Sequence, residues 1–174
     1  MKRKKGYTLI ELILSLGILS IVIVLTMTFF IANVKNYEVI NNDSKLQFQA
    51  QYILNFISNK VMESRKVELI RNTDLKSVIN SPREFNISKI SLLYNEQDSQ
   101  CYIFEVKNNK IFYGNGFSNN SATTELGAYV LEMRMAPYPE GKMFSETKSL
   151  RITLKLQKDN QTYEVSQIVY MRSS

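Results

Sequence analysis

From Leu12 to Val34 the chain carries no charged residue, and the run follows closely on Lys2, Arg3, Lys4 and Lys5. At ~1.5 Å per residue a helix over this run reaches about 34 Å, enough to cross a ~30 Å hydrocarbon core. The run is apolar on every side, which argues against an amphipathic surface helix and against an ordinary core helix. It is longer than the ~7–15 residue apolar core of a secretory signal peptide, and no small-x-small cleavage site follows it. The basic leader predicts a cytoplasmic N-terminus, with the C-terminal part outside the cell membrane. Glu11 does not fit a plain anchor. A carboxylate in the apolar part of a spanning helix costs roughly 2.5–3.5 kcal/mol.

Composition narrows the chemistry. The 174 residues hold 22 Lys and Arg against 16 Asp and Glu, a net charge of +6. Four of those cations lie in the leader, so the basic balance is mainly a topology signal and a poor argument for nucleic acid. Histidine is absent and Cys101 is the single cysteine. The commonest general base and metal ligand is therefore missing, and one chain can form neither a disulfide nor a thiolate metal cage. No calcium loop, phosphate loop or dinucleotide fingerprint occurs, and "YGNGF" at 113–117 reads as a turn. No enzyme activity, cofactor or metal is expected.

The stretch "KKGYTLIEL" resembles the class III signal of type IV prepilins and type II secretion pseudopilins, whose common form is a basic leader followed by G-F-T-L-[IV]-E. The resemblance implies cleavage after Gly6 by a membrane aspartyl peptidase, the prepilin peptidase. It implies N-methylation of Tyr7, which replaces the usual phenylalanine, and an assembly contact at Glu11, the fifth mature position. A glycine suits an extended peptidase subsite with no room for a side chain. Cutting before Tyr7 creates an α-amino group at a helix N-terminus, where Glu11 also lies at the positive end of the dipole. In a filament stripped of lipid, the family pattern lets Glu11 meet the terminal cation of the adjacent subunit; a glutamate resting at the headgroup level is the alternative. Major pilins often carry a proline within this helix. Here the first proline is Pro82, and Gly17 and Ser20 are the small, flexible positions of the anchor.

Beyond Val34 the chain turns polar but keeps a helical period. Phe48, Tyr52 and Phe56 recur every four residues, as do Ile53, Ile57 and Val61, and no Gly or Pro interrupts 32–66. One helix from about Tyr7 to about Glu63 is predicted, its polar half laying an apolar stripe on a sheet. The remainder reads as strands. Residues 100–114 form a hairpin turning at Asn108 and Asn109. "AYVLEMRM" puts Tyr129, Leu131, Met133 and Met135 on one face until Pro137 and Pro139 end it. Leu150, Ile152, Leu154 and Leu156 alternate with polar residues, and "KDNQ" turns into Tyr163, Val165, Val169 and Met171. Residues 67–99 are the least legible, with short strands expected at 67–70 and 85–93.

An α+β, pilin-like fold is therefore expected: a long N-terminal helix, half transmembrane and half amphipathic, packed on a C-terminal antiparallel β-sheet. The expected organisation is a leader at 1–6, a transmembrane and assembly helix at 7–34, and a soluble domain at 35–174. Within that domain, 35–66 is amphipathic helix and 67–174 mainly β. The ending "TLKLQKDNQTYEVSQIVYMRSS" resembles J-type minor pseudopilins and PilW-like minor pilins, and the expected function is that of a structural subunit, a minor pilin or pseudopilin, of a type IV pilus or type II secretion-like filament. Its partners would be the prepilin peptidase, other pilins, the inner-membrane assembly platform and, before assembly, the membrane itself. Open alternatives are a pilus-borne adhesin, a membrane-anchored enzyme, and a competence pseudopilin contacting DNA through Arg151, Lys155 and Lys158. A solvated sheet face accounts for those three cations equally simply.

Overall fold

The computed structural model describes residues 8–172. The chain forms two compact units that divide between Asn41 and Asn42. Among the described residues a single helix, α1 (Leu9–Glu63), is followed by eight strands: β1 (Lys66–Asn72), β2 (Phe85–Asn95), β3 (Gln100–Lys107), β4 (Lys110–Gly116), β5 (Thr124–Ala128), β6 (Val130–Tyr138), β7 (Ser149–Lys158) and β8 (Gln161–Tyr170). They form one antiparallel sheet in the order β5-β4-β3-β2-β6-β7-β8, with β1 paired to β2. The fold is α+β, the helix packed on the sheet.

In the N-terminal unit the helix is exposed along its apolar length, and α1 is long and apolar enough to cross a membrane. Its polar side chains turn back on their own backbone. Ser15 Oγ donates to the Glu11 carbonyl at 2.6 Å, Ser20 Oγ to Gly17 at 2.7 Å, Thr28 Oγ1 to Val24 at 2.9 Å and Asn33 Nδ2 to Phe29 at 2.8 Å. Each satisfies a donor that hydrocarbon could not.

In the second unit the two helical stripes have different fates. Ile53, Ile57 and Val61 are fully buried, together with Leu46 and Ala50, against Ile90, Leu92, Phe104 and Ile111 of the sheet. Phe48 and Tyr52 point outward, 73% and 50% exposed, and of their stripe only Phe56 reaches the core, edge-on to Phe104 and Tyr113. The helix end is tied to the sheet. Tyr102 Oη donates to Glu63 Oε2 at 2.7 Å, and Lys60 lies 4.6 Å over the Tyr102 ring. Lys60 and Tyr102 hold the Glu63 carboxyl below its ordinary pKa, while burial and the Glu63 bond push the Tyr102 phenol up.

Close approach of helix and sheet depends on Gly127 in β5, where a Cβ would sit 2.7 Å from Ile53 Cδ1. Ile53 is fully buried and cannot swing into solvent. Gly127→Val should therefore destabilise the domain by about 1–3 kcal/mol through overpacking. Denaturant titration checks this, and an unchanged midpoint would show that the contact is loose.

Three strand expectations need correction. The run at 129–135 does not alternate cleanly, because β6 shifts register between Val130 and Glu132 against β7. Val130, Met133 and Met135 are buried, Leu131 is 39% exposed, and Tyr129 lies outside the strand at φ 66°. Pro137 does not end β6. It pairs with Leu150, in the part of β6 beyond the Arg134 and Met135 pairs with β2, where no partner needs its amide. The region 67–99 holds longer strands than expected, and β5 has no counterpart in the sequence reading.

The sheet face opposite α1 carries a second, small core of Leu93, Cys101, Ile103 and Ala122. Residues 117–123 cross it, held by buried polar groups. Lys89 Nζ donates to the Asn119 and Asn120 carbonyls at 3.1 and 2.8 Å, and Ser91 Oγ to the Ser118 carbonyl at 2.8 Å. Burial lowers the Lys89 pKa, with Glu105 partly opposing it. The ammonium supplies bonds that this segment's carbonyls would otherwise lack.

Candidate assembly and processing site

Helix α1 begins with a reciprocal cap. The Thr8 backbone N–H donates to Glu11 Oε2 at 2.8 Å and the Thr8 hydroxyl to the same oxygen at 2.9 Å, while the Glu11 N–H approaches Thr8 Oγ1 at 3.4 Å. This is the capping-box arrangement, in which a Thr and a Glu three residues on satisfy each other's unpaired donors. Glu11 thus has a local partner in the single chain. The sequence reading overlooked Thr8, although the spacing in "TLIE" is the signal that marks such a box.

Gly6 and Tyr7, the expected cleavage and methylation residues, lie outside the described residues, as does the basic leader. Thr8 is the first described residue, so the cap stands immediately beside the expected cut. Along the following turns Ile10, Ile13, Leu14, Gly17, Ile18 and Ile21 line a shallow apolar surface on the helix. Nothing lies within 4 Å of where a Gly17 Cβ would be.

Residues 1–27 match the family model for the prokaryotic N-terminal methylation motif. The motif supports a type IV pilin or pseudopilin precursor. The motif implies processing by a prepilin peptidase and assembly with other pilins, and it points to a structural subunit rather than an enzyme. With the apolar helix it supports a membrane-anchored pilin that later enters a pilus. No curated protein and no solved structure matches the chain. The pilin-type assignment therefore rests on the N-terminal motif, with the helix-on-sheet fold consistent with it.

The three cations considered for DNA contact are not gathered into one patch. Arg151 and Lys155 share the outer face of β7. Arg151 pairs with Glu140 at 3.4 Å and lies over the Tyr138 ring, and Lys155 stands in register between Glu132 and Glu164. Lys158 points to the other face, donating to Asn42 Oδ1 at 2.9 Å and lying 5.4 Å over the Tyr129 ring. The same outer face holds Arg134, ringed by Glu164 at 2.7 Å, Glu132 at 3.4 Å and Glu84 at 3.6 Å. Carboxylates thus accompany the cations, and the local field is mixed in sign. Among the described residues no group of His, Cys, Asp and Glu could hold a metal ion.

Proposed function

We propose that this chain is a minor structural subunit of a type IV pilus or type II secretion-like filament. It is held in the membrane by its N-terminal helix, with the leader cytoplasmic and the domain from about residue 35 outside, cut between Gly6 and Tyr7, and extracted into the fibre. The observation that carries this reading is the Thr8–Glu11 box at the head of an exposed apolar helix, within the methylation motif. In the membrane the cap gives Glu11 two donors, which lowers the cost of keeping a carboxylate near hydrocarbon. Cleavage leaves the Tyr7 amine one residue from that cap. In the fibre, the same carboxylate exchanges or shares its local donors with the terminal ammonium of an adjacent subunit. The contact selects subunits that have been processed, because an uncut chain presents no amine there.

Processing is the direct test. Co-expressed with a prepilin peptidase, the mature chain should begin at Tyr7 with a methylated amine, as read by intact-mass and N-terminal peptide mass spectrometry. A retained leader, or a cut beyond Val34, would overturn the proposal.

A further inference from the structure

A cavity of about 480 Å³ opens on the helix-on-sheet unit, lined by Ser44, Lys45, Phe48 and Gln49 of α1 and by Tyr129 and Lys158 from the sheet. Its chemistry has three parts. The first is positive charge: two lysines line the cavity and no carboxylate does. Among the described residues Lys45 makes no hydrogen bond or ion pair, and Lys158 gives one donor to Asn42 Oδ1 at 2.9 Å. An ammonium has donors beyond one such bond, so both lysines can still meet an anion. Asp159, the carboxylate beside Lys158 in sequence, accepts from Asn42 Nδ2 at 3.4 Å.

The second part is a buried acceptor. Gln49 Oε1 is shielded from solvent and has no donor among the described residues. A buried carbonyl left unpaired is costly, so this oxygen is matched to an N–H or O–H that the chain does not supply. The third part is an apolar wall. Phe48 and Tyr129 are both exposed, and Tyr129 is held at φ 66°, in the left-handed region that a bulky residue rarely enters. The sheet fixes it there from both sides. Its carbonyl accepts from the Gln157 N–H at 2.8 Å, and the Val130 N–H donates to the Asn109 carbonyl at 2.9 Å. Backbone strain of this kind gathers at ligand clamps.

We propose that this cavity binds the headgroup of an anionic, hydroxyl-bearing phospholipid from the membrane that anchors the chain. The phosphate meets Lys45 and Lys158, a headgroup hydroxyl donates to Gln49 Oε1, and the ester end of the acyl chains lies against Phe48 and Tyr129. A free phosphate leaves the aromatic wall and the Gln49 carbonyl without a partner. A zwitterionic headgroup brings a cation to two lysines. The volume suits a headgroup, lying within the ~300–1,000 Å³ of small-molecule sites. The site depends on the membrane-anchored reading proposed above, which supplies the ligand. Ser44 follows Val34, the end of the uncharged run, by ten residues, so the tether holds lipid at high effective concentration and a weak site suffices. The contact acts on the membrane pool and is lost when the chain enters a lipid-free fibre.

The test uses the full chain in phosphatidylcholine vesicles doped with phosphatidylglycerol that bears a diazirine near the ester end of one acyl chain. Phosphatidylcholine labelled at the same carbon is the comparison. After irradiation, mass spectrometry should find both labels between Leu9 and Val34, and the phosphatidylglycerol label preferentially on peptides carrying Phe48 or Tyr129. Lys45→Gln, at an exposed position, should lower the cavity adduct about fivefold, the usual contribution of one lysine at an anionic surface. Lys66→Gln, from the Lys66–Glu68 pair of β1, should leave it unchanged. Unlabelled phosphatidylmethanol, equally anionic but without hydroxyls, should compete less well than unlabelled phosphatidylglycerol. Label on the anchor but not in the cavity, equal cavity labelling by the two lipids, or an unaffected Lys45→Gln would overturn the proposal. So would equal competition by phosphatidylmethanol, or competition by soluble glycerol phosphate. Absence of label from anchor and cavity alike would instead overturn the membrane-anchored reading, and this site with it.

Discussion

Glu11→Gln should leave membrane insertion and Gly6–Tyr7 cleavage intact while filament incorporation falls at least about tenfold against competing wild-type subunits. The capping box makes this substitution discriminating. Glutamine serves at the third position of such a box as glutamate does, so its side-chain oxygen can still accept the Thr8 N–H. The local cap therefore survives and only the charge is lost. If Glu11 served its own helix alone, the variant would be silent, or would insert more readily because a buried charge has gone. If the carboxylate pairs with a neighbour's terminal ammonium, its removal leaves that cation desolvated and unpaired, which costs ~2–5 kcal/mol. Every ~1.4 kcal/mol is a factor of ten in an equilibrium, hence the expected exclusion. The measurement is the ratio of incorporated to membrane-pool protein for mutant and wild type expressed together. Equal ratios would reduce Glu11 to a helix cap.

The second large effect lies in the core. Phe104 is fully buried in β3, with ring contacts to Phe56 at 6.3 Å and Tyr113 at 5.5 Å. Phe104→Ala should destabilise the helix-on-sheet unit by about 3–5 kcal/mol, because close-packed neighbours cannot collapse into the space the ring leaves. Its counterpart is Phe48→Ala. That ring is 73% exposed, and its removal should change stability by no more than about 0.5 kcal/mol. Denaturant titration of a fragment beginning at residue 35 measures both. Similar losses for the two variants would mean that the outward aromatic stripe is packed, contrary to the observed exposure.

The two helical stripes show where sequence reading has power and where it stops. Phe48, Tyr52 and Phe56 have the same spacing as Ile53, Ile57 and Val61, and periodicity alone cannot say which row faces the sheet. The structure buries the aliphatic row. Gly127 leaves space only where Ile53 enters, and the aromatic row finds β-strand partners only at Phe56. Similarly, alternation located Leu150, Ile152, Leu154 and Leu156 correctly, because β7 is paired on both sides and in unbroken register with β8. It failed at Leu131, where a register shift between Val130 and Glu132 moves a residue across the sheet without any Gly or Pro to announce it.

At the N-terminus local chemistry was decisive. The basic leader, the uncharged run, and the Gly6, Tyr7 and Glu11 spacing need only near neighbours to be meaningful, and so they are legible without a fold. Thr8 was overlooked, although a capping box spans only four residues. What required tertiary structure is everything that depends on distant partners. The crossing of residues 117–123 over the outer face is held by Lys89 and Ser91 from β2, and no local pattern marks those two as anchors. Local alternation separates Lys158 from Arg151 and Lys155, but the carboxylates beside the latter two, Glu140, Glu132 and Glu164, are brought there by the fold. That β1, β5 and β8 end the sheet is known only from the strand order. An edge is a property of the sheet, set by which strands lack neighbours, and a strand's own residues do not encode it.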